Sequence, residues 1–290
     1  MAQENLTWQS KLVLLVVLPF AGTDAVLSCF GWADQSPSVL IWTAGLSALL
    51  GLVTWKLRAA TPAAALTGAL ITASLMFSTV DFPYEPWHTA LIPTLAVSAL
   101  ALIATRVGRA KKERLGTAEH RRGRSASQVA ANLGAAMLAS NGLTQRWFID
   151  SEFAHTTLVA RPVFAMGLAA LAEAAADTVS SEIGQVFGRR PRMITTFRAA
   201  EPGRNGAVSL VGTLAGIVAA AIVAGAGTWA LRGDWNLFAV SCGGAVFGLL
   251  FDSLLGGTLE NLGWLNNDAV NFLSTASASG FVLAAIGYFR

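Results

Sequence analysis

The feature that most constrains this chain is the recurrence of long apolar runs from which charge is almost absent. The first, "LVLLVVLPFAGTDAVLSCF", follows Lys11 and contains a single charged residue, Asp24. A helix that crosses a bilayer needs about 20 mostly apolar residues. Nine segments meet or approach that requirement, at 12–31, 37–55, 62–80, 88–105, 127–143, 157–178, 207–231, 236–252 and 269–288. Backbone amides in lipid find no water, so such segments satisfy their hydrogen bonds internally as helices. The expected fold is therefore all-α, a polytopic membrane protein with about nine transmembrane helices in one transmembrane domain, 1–290. A composition of 54% hydrophobic against 13% charged residues agrees with this and argues against a soluble domain. The first run is too long for a cleavable signal peptide and reads as the first span. Within it, Asp24 after Pro19 and Gly22 predicts a helix break. Cys29 and Cys242 stand alone in apolar surroundings and read as packing residues, with no metal-ligand or redox spacing.

The basic residues fix an orientation, because short cytoplasmic loops are enriched in Lys and Arg. The stretch "RVGRAKKERLGTAEHRRGR" carries eight of them between Arg106 and Arg124, and "GRRPRMITTFRAAEPGR" five more between Arg189 and Arg204. Two spans separate these loops, 106–126 and 185–206, which puts both on one face together with Lys11, Lys56 and Arg58. Only Arg146, Arg161, Arg232 and Arg290 fall opposite. The amino terminus is expected inside, in a bacterial inner membrane. Topology alone accounts for the pI of about 9.2, so no nucleic acid partner is implied.

The polar residues near the later spans gather on that same side. "ADTVSSEIG" ends the sixth span, "PGRNGAVSLVGTLAG" opens the seventh, "FDSLLGGTLEN" ends the eighth and "NNDAVNFLST" opens the ninth. Asp177, Glu182, Asn205, Asp252, Asn267, Asp268 and Asn271 thus reach a similar depth, where ionisable groups usually face a cavity or a partner. Asp177 and Glu182 are five residues apart, so they share a ligand only if the helix bends or ends between them. The alternative is that they reach headgroup water. Gly212 and Gly216 can form a close helix contact, or "NGAVS" can offer helix-start amides to phosphate. Asp252 suits either a metal ligand or a helix exit. Asn267 or Asp268, Asn271 and Ser274 or Thr275 recur at spacings of three and four, which makes one polar stripe. Several carboxylates beside a glycine-bearing helix start and basic loops suit magnesium and a nucleotide. There is no Walker A sequence, protein-kinase glycine loop or HRD pattern.

"ADTVSSEIG", "MITTF", "PGRNGAVSLVGTLAG", "GLLFDSLLGGTLE" and "NNDAVNFLST", in this order, resemble the integral membrane family that contains plant and cyanobacterial phytyl-phosphate kinase and animal transmembrane protein nineteen. The similarity extends upstream through "KLRAATPAAALTGAL", "KKERLG" and "GRSASQVAANLG", over roughly 45–290. The resemblance implies transfer of a phosphoryl group from a nucleoside triphosphate, CTP by analogy with phytol and dolichol kinases, to a prenyl monophosphate such as phytyl or geranylgeranyl phosphate. It marks Asp177, Ser181, Glu182 and Gly184; Thr195 and Thr196; Pro202, Gly203, Asn205, Gly206 and Ser209; Asp252, Ser253 and Gly256; Asn267, Asp268 and Asn271; and, earlier, Gln128 and Asn132. The chain departs from the family in carrying Arg204, Ala207 and Glu260 where threonine, glycine and glutamine are usual.

The mechanism expected on this basis has Asp177 and Asp252 holding Mg2+, with Glu182 or Asp268 as further ligands. The segment Asn205–Ser209 cradles the nucleotide phosphates, and Arg124, Arg189, Arg192 or Arg204 meets the lipid phosphate. A monophosphate acceptor is already ionised near neutrality, so the carboxylates are assigned to metal before base catalysis. The rival readings are a transporter of a small solute or ion and a CTP-dependent lipid cytidylyltransferase. No internal repeat supports the transporter. A homodimer is left open.

Overall fold

The computed structural model describes residues 6–117, 123–150 and 161–288. Eleven α-helices run in chain order as α1 (Thr7–Gln35), α2 (Pro37–Lys56), α3 (Pro62–Ser78), α4 (Leu91–Arg106), α5 (Arg109–Leu115), α6 (Ala126–Ser140), α7 (Gly142–Ile149), α8 (Pro162–Phe187), α9 (Leu210–Ala230), α10 (Trp235–Leu255) and α11 (Asn267–Tyr288). Two strands, β1 (Arg192–Met193) and β2 (Ala207–Val208), pair antiparallel between α8 and α9.

Each of the nine expected spans falls on a helix, but six of these helices are long and apolar enough to cross a membrane: α1, α2, α8, α9, α10 with its C-terminal turn, and α11. The α4–α5 pair is a seventh if its 68° bend belongs to one span. The bend falls at Gly108, whose left-handed φ of +61° ends one helix and starts the next. α3 is apolar but has 17 residues, and α6 has 15. Of the sixth expected span, 157–160 lie outside the described residues, as do 118–122 of the basic loop and Arg290. Within that loop α5 is helical, and α8 runs on to Phe187, so the loop that follows begins later than 185.

The helix starts follow local chemistry. Thr61 caps α3, accepting from the Ala64 amide at 3.3 Å with Pro62 in the first turn. Ser125 and Gln128 form a reciprocal capping box on α6. Asp234 caps α10 through the Leu237 amide at 3.0 Å. The expected break at Asp24 does not occur: α1 is continuous with Pro19 inside it. The Asp24 carboxylate instead accepts from Ser74 Oγ at 2.5 Å and from the Gly142 amide at 3.2 Å, which ties α1 to α3 and α7.

α8 is the axis of the bundle and packs against α4, α6, α9, α10 and α11. Its sequence, "PVFAMGLAALAEAAADTVSSEIGQVF", is small on every side, so five neighbours can approach its backbone closely. α1 and α2 lie outside, with large apolar side chains such as Leu15, Phe30 and Ile41 turned outward as lipid-facing surface. Exposed tryptophans mark both ends, Trp8, Trp55 and Trp264 at one and Trp87, Trp147, Trp229 and Trp235 at the other, as expected for two interfaces.

The ends differ in chemistry. Among the described residues only Arg146, Arg161 and Arg232 supply positive charge to the end holding the α3–α4 and α9–α10 connections. There Arg161 donates to Asp81 at 2.7 Å and holds its carboxyl below the ordinary value, while burial pushes the Tyr84 hydroxyl up. All other described basic residues lie toward the opposite end, with the polar motifs.

Candidate functional site

α8 neither bends nor ends between Asp177 and Glu182, so the two carboxylates diverge. Glu182 meets Lys112 at 2.5 Å. The Lys112 side chain is fully buried and its ammonium also donates to the carbonyls of Ala104 (3.0 Å) and Thr105 (2.8 Å). Glu182 is thus an anchor for the α4–α5 elbow. Asp177 turns the other way, against Asp252 of α10. One turn earlier on the same face, Glu173 is 1% exposed and neither of its carboxyl oxygens has a hydrogen-bond partner. Asp252 Oδ1 is also buried without a partner. The Ser274 hydroxyl on α11 lies beside both Glu173 and Asp252. Glu173 fits there because Gly248 of α10 has no side chain; a Cβ would approach Glu173 Cγ at 2.5 Å.

Gathering ionised carboxylates in a low-dielectric interior is costly, and either a proton or a cation can offset the charge. Among the described residues no three His, Cys, Asp or Glu side chains form a group that could hold a metal ion unaided. Asp268 stands apart from this face. It accepts from Ser10 Oγ at 2.6 Å, is 8% exposed and ties α11 to α1. The pair Asp177 and Asp252 suits magnesium, which takes one or two carboxylates and completes its shell with phosphate oxygens and water.

The β-hairpin caps this end. Gly206 adopts φ +76° and lies so close to Gly257 that any Cβ would overlap that residue's backbone. The Asn205 carbonyl accepts from Asn261 Nδ2 at 3.1 Å, and Thr195 Cγ2 lies against Gly257. The motifs "MITTF", "PGRNG" and "LGGTLE" therefore meet over the end of α10. Thr195, Thr196, Arg204 and Asn205 are exposed there. Residues 205–208 do not open α9, contrary to expectation: the positive φ at Gly206 turns the chain into β2, and the helix starts only after Ser209. Ser209 accepts from the Gly212 amide at 3.1 Å as the cap. The close-packing reading of Gly212 and Gly216 holds, because Cβ atoms there would meet the carbonyls of Ser180 (2.7 Å) and Ala176 (2.8 Å) on α8.

The remaining expected residues divide. Asn267 is exposed, Asn271 half-buried, and Ser274 and Thr275 buried. The neighbouring Asn266 performs the capping, accepting from the Ala269 amide at 2.9 Å and donating to the Leu6 carbonyl at 2.8 Å. Gln128 commits its carbonyl to the Ser125 amide at 2.7 Å. Asn132 is 6% exposed, donates to the Gln128 carbonyl at 2.7 Å and lines a cavity.

That cavity, about 470 Å³, lies between α2, α3, α4 and α6 and reaches Ala174 of α8. Its walls are mostly apolar, and Arg58, Arg106, Arg109 and Arg124 ring one end. Arg124 is held by backbone pairing with the α2–α3 loop: its amide donates to the Ala59 carbonyl and its carbonyl accepts from Thr61, both at 3.0 Å. Gly123, at φ +81°, presses against Ala59 and makes this approach feasible. The Arg124 guanidinium donates to Thr178 Oγ1 at 3.2 Å, beside Asp177 on the same helix. Arg189, Arg192 and Arg204 are not among the cavity residues.

Glu173 is absent from the sequence expectations because it lies three residues ahead of "ADTVSSEIG". Its four-residue spacing from Asp177 was the available signal. In the sequence Lys112, Arg58, Arg106 and Arg109 speak for topology, and Lys112 and Arg58 also fall in stretches that carry the family resemblance, but none is marked there as a site residue.

The family model described as "Integral membrane protein DUF92" matches 45–279. An uncharacterized membrane protein of Methanocaldococcus jannaschii is 40% identical over 108 residues, 37% of this chain and 45% of that protein. The chloroplastic protein VTE6 of Arabidopsis thaliana is 30% identical over 188 residues, 63% of this chain and 54% of that protein. An uncharacterized membrane protein of Synechocystis is 30% identical over 215 residues, 69% of this chain and 76% of that protein. The chain therefore spans about half the length of the first two. No solved structure matches. With the match covering most of the chain, including every motif quoted above, the protein belongs to the DUF92 family of integral membrane proteins.

Proposed function

We propose that the protein is a prenyl-phosphate kinase that transfers the terminal phosphoryl group of a nucleoside triphosphate, CTP by preference, to phytyl or geranylgeranyl monophosphate. The observation that carries this reading is Arg124, shared between an arginine-ringed apolar cavity and the carboxylate-bearing face of α8. An amphipathic lipid phosphate matches the cavity: an apolar tail fills it and a phosphate meets the arginines, which suit phosphate geometry. A volume of about 470 Å³ is within the range of small-molecule sites. The motif resemblance to phytyl-phosphate kinase supports the same acceptor.

Asp177 and Asp252 are the residues that would hold Mg2+, and the unpartnered Oδ1 of Asp252 fits a cation. When bound, that ion would neutralise charge on the donor phosphates. The hairpin residues Thr195, Thr196, Arg204 and Asn205 are exposed for the nucleotide. Arg124 aligns the acceptor phosphate toward the donor, and alignment with charge neutralisation is most of what phosphoryl transfer requires. The basic end faces the cytoplasm by the positive-inside rule, with the amino terminus on the cytoplasmic side of a bacterial inner membrane and nine membrane-embedded helices.

The test is purified protein with Mg2+, each of the four nucleoside triphosphates and geranylgeranyl or phytyl monophosphate, followed by mass analysis. The expected products are the nucleoside diphosphate and the prenyl diphosphate. Pyrophosphate with a CDP-lipid indicates a cytidylyltransferase instead, and no nucleotide consumption favours transport. Asp177→Asn and Asp252→Asn should each reduce turnover at least a hundredfold while the protein stays folded in detergent. Full activity in both overturns the carboxylate assignment.

A further inference from the structure

We propose that the α2–α3–α4–α6 cavity is a single-chain slot whose closed end sets the length of prenyl chain accepted, with Gly68 and Ala101 fixing its clearance midway. The inference rests on the acceptor reading of the cavity given above. The slot runs along α4 from Arg106 at the charged mouth to Thr94 and Val97 at the far end, about 18 Å at 1.5 Å per residue. Its volume over that length describes a slot narrower than an α-helix with side chains, so an extended chain fits and a peptide helix does not.

The floor is closed and neutral. Thr94 and Thr72 are buried, and each spends its hydroxyl on its own helix, Thr94 on the Ala90 carbonyl and Thr72 on the Gly68 carbonyl, both at 2.7 Å. With their hydroxyl protons committed to their own helices, they offer no donor to a ligand and meet an apolar tail at little cost. The mouth carries the opposite chemistry, four arginines against Glu113, which pairs with Arg109 at 3.2 Å. A ligand is therefore oriented phosphate at the mouth and tail at the floor. Midway, Gly68 lines the wall with room to spare: a Cβ there meets nothing nearer than Val129 Cγ1 at 3.7 Å. Ala101 lines the same slot from α4. A larger side chain at either position projects into the slot and obstructs the tail, and at Gly68 its Cβ meets no close neighbour. Gly51 differs, since a Cβ there would meet the Ala65 carbonyl at 2.9 Å, so its smallness serves helix packing.

The experiment measures thermal stabilisation of purified wild type, Gly68→Leu and Ala101→Leu by geranyl, farnesyl and geranylgeranyl monophosphate, with phosphoryl transfer assayed in parallel. A diacyl phosphatidic acid serves as the two-chain phosphomonoester. Wild type should bind more tightly as the chain lengthens and reject the diacyl lipid. Either leucine variant should hold geranyl monophosphate within about threefold and lose geranylgeranyl monophosphate by at least about tenfold. If Gly68→Leu does not fold, Ala101→Leu carries the same test from the facing helix. Wild-type response across chain lengths in a folded variant overturns the proposal, as does tight binding of phosphatidic acid. Length-ordered binding without nucleotide consumption overturns the kinase and leaves the slot standing; transfer without any length dependence does the reverse.

Discussion

Lys112 and Glu182 form a buried pair that gives Glu182 a structural partner the motifs do not reveal. Lys112 is entirely enclosed and Glu182 has 12% of its side chain exposed, so each charge depends on the other. Removing one partner from such a pair typically costs about 3–5 kcal/mol, whereas replacing both with apolar groups is often neutral. Lys112→Met should therefore destabilise the protein strongly, and Lys112→Met with Glu182→Met should recover most of the loss, read as thermal midpoints in detergent. Transfer activity of the double variant then separates structure from chemistry. Retained activity makes Glu182 an anchor; a folded but inactive double variant gives it the metal-holding role expected from the sequence. Asp177 is legible because a carboxylate that follows three alanines in a membrane helix is conspicuous in sequence. Glu173 escaped notice because its burial comes from Gly248 and Ser274, which are remote in sequence.

At the level of elements, the α8–α9 contact is made by absent side chains. Gly216→Ala inserts a methyl 2.8 Å from the Ala176 carbonyl and 2.9 Å from Ser180 Cβ, neither of which is a flexible chain end. Overpacking of this kind costs roughly 1–3 kcal/mol. Gly45 on the exposed face of α2 has nothing within 4 Å of its Cβ position, so Gly45→Ala should gain about 0.5–1 kcal/mol from helix propensity. Opposite shifts of the thermal midpoint in these two glycine-to-alanine variants would establish the contact; a matching rise in both would refute it. The nine long helices were legible in the sequence because apolar runs mark them, whereas the short α5 and α7 carry no such run. The hairpin was not, since β1 and β2 have two residues each and "NGAVSLVG" has the composition of a helix start. Only the contact of Gly206 with Gly257 shows why the chain turns there. The cavity was invisible for a related reason: its walls come from four helices whose apolar residues look alike whether they face a neighbour, lipid or a void.

For the molecule as a whole, charge asymmetry and site location make one claim. The arginine-ringed mouth, the carboxylate face and the hairpin all lie toward the end that carries nearly all the described positive charge, and the proposed kinase requires that end to face the cytoplasm, where nucleotide is available. Single-cysteine labelling tests this directly. Cys29 and Cys242 are free and half-buried, so both are first replaced by alanine. Thr196→Cys then reports the hairpin end and Gln35→Cys the end of α1, both exposed positions. In intact cells a membrane-impermeant maleimide should label Gln35→Cys and spare Thr196→Cys, and permeabilised cells should label both. The reverse pattern would turn the molecule over and direct its site away from the nucleotide pool, which is incompatible with a nucleoside-triphosphate-dependent kinase. Labelling of both in intact cells would mean dual insertion, and the basic residues would then have to be explained by ligand binding rather than by topology.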